Sequence, residues 1–336
     1  MIFGSRVDQR LFFGDGNLKE FKTYEQQLDI MKSRGIIIQN DEYVIKALQE
    51  HNYYNLVNGY KDLFLQSMDE EDHYKENVTF EEIYALYRFD VELKRALLNK
   101  ILIVEDILRS LISYEFSKKH GNDNYLKFDS FDRLTEINAP YKTKQKRAVH
   151  IHELIASIQK TLAASISKKD YIEHYITQYG FVPLWVLINS ISFGTLSKFY
   201  ELMFQRERVA VAKYFHVLEN ELAQYIKSMS AYRNLCAHDE RLYNAKLGKT
   251  CSIHDTKYHE LLGIPIVNGR YAYGKNDVFS LIIALKQLLP HQEFINLFNI
   301  INHQIYRLES KLNSITIEEV YEKMGFPTTW RDIKKS

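Results

Sequence analysis

The sequence predicts a mostly α-helical protein, and three observations lead to this fold class. Only 13 glycines and 5 prolines occur among 336 residues, which leaves few positions for turns. Hydrophobic residues make up 46% of the chain, enough for a large core, and they recur with the period of a helix. Capping-box patterns precede several of these periodic stretches and mark helix starts. The length suits one large domain or two ordinary ones.

The amino-terminal portion, residues 1–78, is expected to be helical after an irregular lead-in. Thr23-Tyr-Glu-Gln26 is a capping box for a helix that stops near Gly35, and Asn40 caps a second helix over about 41–51. Two successive helices suggest a helix–turn–helix that reads DNA. A small helical packing unit is the preferred interpretation, because the segment is acidic rather than basic.

The central portion, residues 79–245, is expected to form a helical bundle. Thr79-Phe-Glu-Glu82 is a capping box for the longest periodic stretch, which runs to about Lys118. Glu105 and Arg109 interrupt the apolar stripe of this helix. They are either salt-bridge residues or side chains that face a later motif and hold it. Further helices are expected over about 148–166 and 170–179, from Pro183, over 192–200 and from about 218.

A basic run lies between the long helix and the next one, and its four cations are Lys142, Lys144, Lys146 and Arg147. We expect this run to lie in a loop, with Lys168 and Lys169 adding to the same basic side. A solvated loop is the ordinary interpretation of such a run. It is also the best candidate in the chain for contacts with the phosphates of a nucleic acid.

The carboxy-terminal portion, residues 246–336, is expected to contain a small β-hairpin insertion and helices packed on the bundle. The hairpin is predicted over 264–273, around Asn268-Gly269, a dipeptide typical of tight hairpin turns. Helices are predicted over about 277–289 and 291–312, followed by a last helix that Thr316 caps and Gly325 ends.

Composition restricts the class of protein. The net charge of +1 neither demands nor excludes nucleic acid, so any binding surface must be a local patch. Two cysteines exclude a disulfide scaffold and fit a reducing compartment. The amino-terminal residues lack the apolar segment of a signal peptide, and no apolar stretch reaches the ~18 residues of a membrane span. We therefore expect a soluble, cytoplasmic protein without a membrane partner.

The most unusual stretch is Tyr232–Asn244, which follows an apolar-periodic helix and contains two arginines, two asparagines and a histidine. Such groups near a core need partners, or a substrate that supplies them. Arg233 and His238 are five positions apart, about 140° around an ideal helix. A long arginine stem, a loosened last turn or a second copy of the chain would have to bring them together.

Four segments of the chain resemble a known family. Arg233-Asn-Leu-Cys-Ala-His238 resembles the Arg-x(4–6)-His signature of the HEPN ribonuclease superfamily, and the longer run to Asn244 resembles the AbiD/AbiF type of bacterial abortive-infection protein. Three further segments resemble the same family in the same order: Asn52–Tyr60, Tyr87–Arg95 and Pro183–Tyr200. The resemblance implies a HEPN-like bundle for the central portion.

The resemblance also implies an activity, a metal-independent endoribonuclease that acts as a toxin in anti-phage defence. Histidine can move protons at neutral pH, so His238 would serve as the general acid or base. Arg233 would grip the phosphate, and Asn234 would orient the histidine, the water or the ribose. Attack by the ribose 2′-OH would leave a 2′,3′-cyclic phosphate and a 5′-OH. Three neighbours would support the site or hold RNA: Arg241, Tyr243 and Asn244.

The expected partners are RNA and a second copy of the chain, with no cofactor and no metal. By resemblance, RNA would be the substrate and also a structured noncoding antitoxin, and two copies would share the active cleft. One alternative is a non-catalytic module that clamps a regulatory RNA. Another is a purely structural polar network that ties helices together. A zinc site is a further alternative, with loosely spaced ligands: Cys236, His238, Cys251 and His254.

Overall fold

The computed structural model describes residues 20–66, 72–134, 139–238 and 240–335. Within them the chain forms thirteen α-helices and one two-stranded antiparallel sheet. The predicted fold class, mostly α with a small β-hairpin, is confirmed. The described residues divide into two compact units, 20–84 and 85–335.

The first unit contains two capped helices, α1 (Tyr24–Ser33) and α2 (Asp41–Glu50). Thr23 and Gln26 satisfy each other's backbone N–H groups in the predicted capping box, and Asn40 accepts from the Tyr43 N–H. Asp72 accepts from Arg34 at 3.0 Å and from Lys61 at 2.6 Å, which fixes the segment after α2.

Helix α3 (Phe80–His120) begins at the predicted capping box, where the Thr79 N–H donates to Glu82 at 3.1 Å. Six helices follow, the last of which carries the motif: α4 (Tyr141–Ile166), α5 (Asp170–Tyr179), α6 (Leu184–Leu187), α7 (Phe193–Leu202), α8 (Gln205–Tyr214) and α9 (Glu219–Ala237). The rest of the chain forms α10 (Lys257–Leu261), β1 (Ile266–Val267), β2 (Arg270–Tyr271), α11 (Val278–Leu288), α12 (His291–Glu309) and α13 (Ile317–Met324).

The core of the second unit surrounds α9, which packs against α7, α8 and α11. Helix α11 is buried on nearly every face, because its sequence is apolar almost throughout. The hairpin turn is the predicted one: Asn268 and Gly269 both have positive φ, 52° and 73°, as its tight geometry requires. Among the described helices, none is both long enough and apolar enough to cross a lipid bilayer.

Helix α4 differs from the prediction. It begins at Tyr141, directly after Pro140, so the basic run forms the first turns of the helix and the prediction of a loop is wrong. At 1.5 Å per residue, about 30 Å separates Lys146 from the last turn of α4. Lys168 and Lys169 follow that last turn. The two basic groups therefore lie at opposite ends of one rod and not on one basic side.

Candidate functional site

Helix α9 positions the motif by burying one face and exposing the opposite one. Tyr225, Met229 and Tyr232 are buried, and the Tyr232 hydroxyl donates to the Asn276 carbonyl at 3.0 Å. This contact joins the last turns of α9 to the loop before α11. The motif residues on the outer face are therefore presented by a helix whose rotation is fixed by its core side chains.

His238 stands at the carboxyl end of α9. Its backbone N–H donates to the Asn234 carbonyl at 3.0 Å, so the histidine caps the helix. Its side chain is exposed and makes no hydrogen bond or ion pair with the described residues. Asn234 is also exposed, one turn earlier on the same stripe. The two side chains are thus available together to a ligand on that face.

Arg233 lies elsewhere on the helix. Because α9 is continuous to Ala237, the arginine is turned about 140° from the stripe of His238. Its side chain is half-buried, and its Nε is buried without a hydrogen-bond partner in the described part of the chain. A buried guanidinium nitrogen of this kind retains an unused donor. The structure therefore does not bring Arg233 and His238 together within one helix face.

A buried carboxylate on α3 holds the segment that follows the motif, and sequence reasoning did not single it out. Asp90 is fully buried and accepts from the N–H groups of Leu242, at 3.1 Å, and Tyr243, at 2.7 Å. A signal for it exists in the sequence: Asp90 lies on the same buried stripe as Leu86 and Leu93. A charge on such a stripe requires partners, which here are backbone donors.

The three supporting residues after the motif have different environments. Tyr243 is buried beside the Asp90 anchor, Asn244 is half-buried and Arg241 is exposed. Leu242 and Tyr243 enter the core, so the chain has a fixed point shortly after the end of α9. Arg241 is thereby placed on the surface near the motif.

Glu105 and Arg109 pair with each other on α3, and the pair is buried. Arg109 also donates to the carbonyls of Ile188 and Ile191, the latter at 2.9 Å. Among the described contacts, these two side chains therefore join α3 to the turn between α6 and α7, and none of them reaches Arg233 or His238. Of the two interpretations, the salt bridge is the one that the geometry supports.

The basic residues do not form one group. Arg147 is half-buried and donates to the carbonyls of Asp132, at 2.8 Å, and Glu201, at 3.0 Å. Burial lowers the pKa of its guanidinium, and its donors are used to tie α4 to α7. Lys169 donates to Ser190 at 2.9 Å. The remaining lysines are exposed or half-exposed: Lys142, Lys144, Lys146 and Lys168.

The zinc alternative is not supported. In the described residues, no three His, Cys, Asp or Glu side chains are grouped so that they could hold a metal ion. Burial, together with the negative charge of nearby Asp90, raises the pKa of the Cys236 thiol to about 12.

Comparison with known proteins bears on the same segments. A model of the Abi-like protein family matches residues 46–244, which is more than half of the chain and includes α3, α9 and the motif. The chain belongs to the Abi-like family. Membership points to abortive infection, a bacterial defence against phage. Neither the curated proteins nor the solved structures include a match to this chain.

In this Abi-like protein the family match covers the candidate catalytic residues and the Asp90 anchor. It contains Asp90 and the Leu242–Tyr243 segment that Asp90 anchors, as well as Asn234 and His238. It also contains helices α4 and α7, which flank the exposed face of α9.

Proposed function

We propose that this Abi-like protein is a metal-independent endoribonuclease of the HEPN type, acting as a toxin in abortive infection. The observation that carries the proposal is the exposed pair of Asn234 and His238 on one stripe at the end of α9. An exposed imidazole that has no partner among the described residues is free to take a proton from a ribose 2′-OH or to give one to a leaving oxygen.

The reaction also requires a positively charged group that contacts the phosphate, and we assign this role to Arg233. Its unused Nε donor and its permanent charge suit a phosphate oxygen. Because Arg233 and His238 occupy different faces of α9, we propose a homodimer in which Arg233 of one copy works beside the His238 of the other. A twofold interface places the same helix on both sides of the cleft.

The decisive experiment mixes two inactive chains. His238→Ala and Arg233→Ala should each lower RNA cleavage by about 10²-fold or more while the protein stays folded, as expected for loss of a general acid–base or of a charge clamp. Mixed together, they should regain measurable cleavage, since one cleft of each heterodimer is intact. His291→Ala, at an exposed position at the start of α12, is the control for loss of a histidine.

Mixing His238→Ala with the Arg233→Ala/His238→Ala double variant provides the negative control, because no intact cleft can form. If the first mixture is as inactive as this control, the two residues act within one chain or the active protein is a monomer. If His238→Ala cleaves RNA like the wild type, the catalytic assignment is wrong.

A non-catalytic clamp for regulatory RNA is the second candidate function. It is favoured by the separation of Arg233 from His238 within the chain. The nuclease and the clamp differ in one measurement: a clamp binds labelled RNA and leaves its length unchanged over hours. We further propose that a structured noncoding RNA restrains the toxin. Co-purification of a discrete RNA with the His238→Ala chain would support this part, and RNA-free protein that is not toxic would contradict it.

A further inference from the structure

A groove of about 410 Å³ lies between α4, α7 and α9, and it reaches the motif. Asn234 lines one end, and His150, Lys198 and Lys227 line its walls. Small residues leave the space open: Gly194 of α7 faces Ser230 of α9, where even an added Cβ would lie 3.6 Å from the serine oxygen. The volume falls in the range of ligand-binding clefts.

The groove and the candidate catalytic histidine share one stripe of α9. Lys227, Ala231, Asn234 and His238 follow the helical spacing of three and four residues, so they lie within about 60° of one another. Three of the four line the groove, and His238 continues the stripe beyond it. A ligand that lies along this face therefore passes from Lys227 to His238 without leaving α9.

Among the described residues, the charges of the groove leave Lys227 without a partner. Lys198 pairs with Glu153 at 3.5 Å. The Glu201 side chain, which also lines the groove, is attracted by the half-buried Arg147 guanidinium. Lys227 is exposed and makes no ion pair or hydrogen bond with the described residues. It is therefore the side chain most readily available to an anionic ligand.

Helix α4 extends the same surface. His150 faces the groove, and Lys146 lies one turn before it on the same side of the helix. The exposed lysines in the first turns of α4 therefore lie next to His150 on the same side of the helix. Lys168 lies beyond the opposite end of α4. Cationic side chains of α4 and α9 thus border the same groove, as in a channel that follows a phosphate backbone.

We propose that this groove binds a single-stranded segment of RNA next to the scissile phosphate, with Lys227 on a phosphate and His150 on a base or ribose. The inference rests on the proposed ribonuclease activity and specifies that its substrate is single-stranded where it binds. A concave site between helices admits an unstacked strand, whereas a duplex presents its backbone on a convex surface. The stripe of α9 from Lys227 to His238 gives the path of that strand.

The test measures binding by the full-length His238→Ala chain, which prevents cleavage of the probe. The probes are a labelled twelve-nucleotide uridine strand and the same strand paired with its complement. Lys227→Glu should weaken binding of the single strand several-fold and lower its salt slope by about 0.7, the value for one phosphate contact. His150→Ala should also weaken it. Lys213→Glu, an exposed lysine near the end of α8, is the matched control and should bind like the parent chain.

Two outcomes would overturn the inference: equal binding by the Lys227→Glu and Lys213→Glu chains, or tighter binding of the duplex than of the strand. Cleavage by otherwise wild-type chains separates this failure from failure of the proposed function. If the wild type cleaves RNA and Lys227→Glu cleaves it equally well, the groove is not the site but the nuclease stands. If the groove variants lose binding while the wild type cleaves nothing, the groove stands and the nuclease fails.

Discussion

Replacing Asp90 by alanine should destabilise the protein strongly. Asp90 is fully buried, and its carboxylate accepts two backbone N–H groups, those of Leu242 and Tyr243. Both of these residues are themselves fully buried, so solvent does not reach their donors without rearrangement. The substitution removes both acceptors and leaves the two N–H groups unsatisfied.

The size of the effect follows from the number of donors. An unsatisfied buried donor costs about 1–3 kcal/mol, so two of them predict a loss of about 2–6 kcal/mol in the free energy of unfolding. Water that enters the vacated space brings the loss toward the lower value. Asp90→Asn retains one carbonyl oxygen of similar shape, and we expect roughly half of the loss for it.

Urea unfolding followed by circular dichroism measures the loss directly. The matched control is Glu92→Ala, two residues later on α3, where the carboxylate forms a surface pair with Arg95. That change should alter the free energy of unfolding by about 0.5 kcal/mol or less. If the urea midpoint of Asp90→Ala coincides with that of Glu92→Ala, the anchor has no energetic role.

Asp90→Asn also tests positioning. Its weaker anchor should lower RNA cleavage under conditions in which the variant is fully folded, because Leu242 and Tyr243 near the motif are less firmly held. We expect the turnover rate to fall while RNA affinity changes little, since Asp90 is buried and does not contact the groove face. Wild-type turnover by the folded Asp90→Asn chain would contradict a positioning role.

Three further predictions concern backbone strain, pH and metals. Gly325→Ala should lower the unfolding temperature measured by calorimetry much more than Gly180→Ala does. Both glycines have positive φ, but of the two only Gly325 would place the new Cβ against Asp277, at 2.2 Å. Equal losses of stability in the two variants would show that Asp277 moves aside without cost. Burial raises the pKa of Asp277 to about 6. The folded state thus holds this proton more tightly than the unfolded chain, whose aspartate titrates near ~3.9. Its contribution to stability is therefore complete below about pH 4 and lost as the pH rises through 6. Asp277→Asn retains the helix cap, so its urea midpoint should depend less on pH across this window than that of the wild type. The same pH dependence in both proteins would refute this. RNA cleavage should persist in EDTA, and activity that is lost with EDTA and restored by zinc or magnesium would reverse the proposed mechanism.

The sequence contained enough information for the helices and their ends. Capping boxes at Thr23 and Thr79 act within four residues, so the pattern alone locates them. The Asn268-Gly269 turn is equally local, because both residues tolerate positive φ. The start of α4 was missed, since a run of cations resembles a solvated loop. Helix formation there does not depend on an apolar face in the first turns.

The candidate site was predictable only in part. Its reactive residues are close together in the sequence, whereas the residues that hold them in place are distant in the sequence. Arg233, Asn234 and His238 stand within six positions of one helix, and their residue types alone suggested acid–base and phosphate chemistry. Asp90 and Leu242 are 152 positions apart, and only packing of α3 beside the end of α9 makes the carboxylate an anchor. The same holds for the groove, whose walls come from three helices.

The sequence by itself determined the helical class, the helix limits and the residues that carry chemistry, because period, capping and side-chain type are properties of short segments. Tertiary structure alone decided which charges are available to a ligand. Arg147 donates its hydrogen bonds to the carbonyls of Asp132 and Glu201, whereas Lys227 has no partner in the described part of the chain. Both are single cations on helices, and the difference arises from the neighbours that the fold brings to each of them.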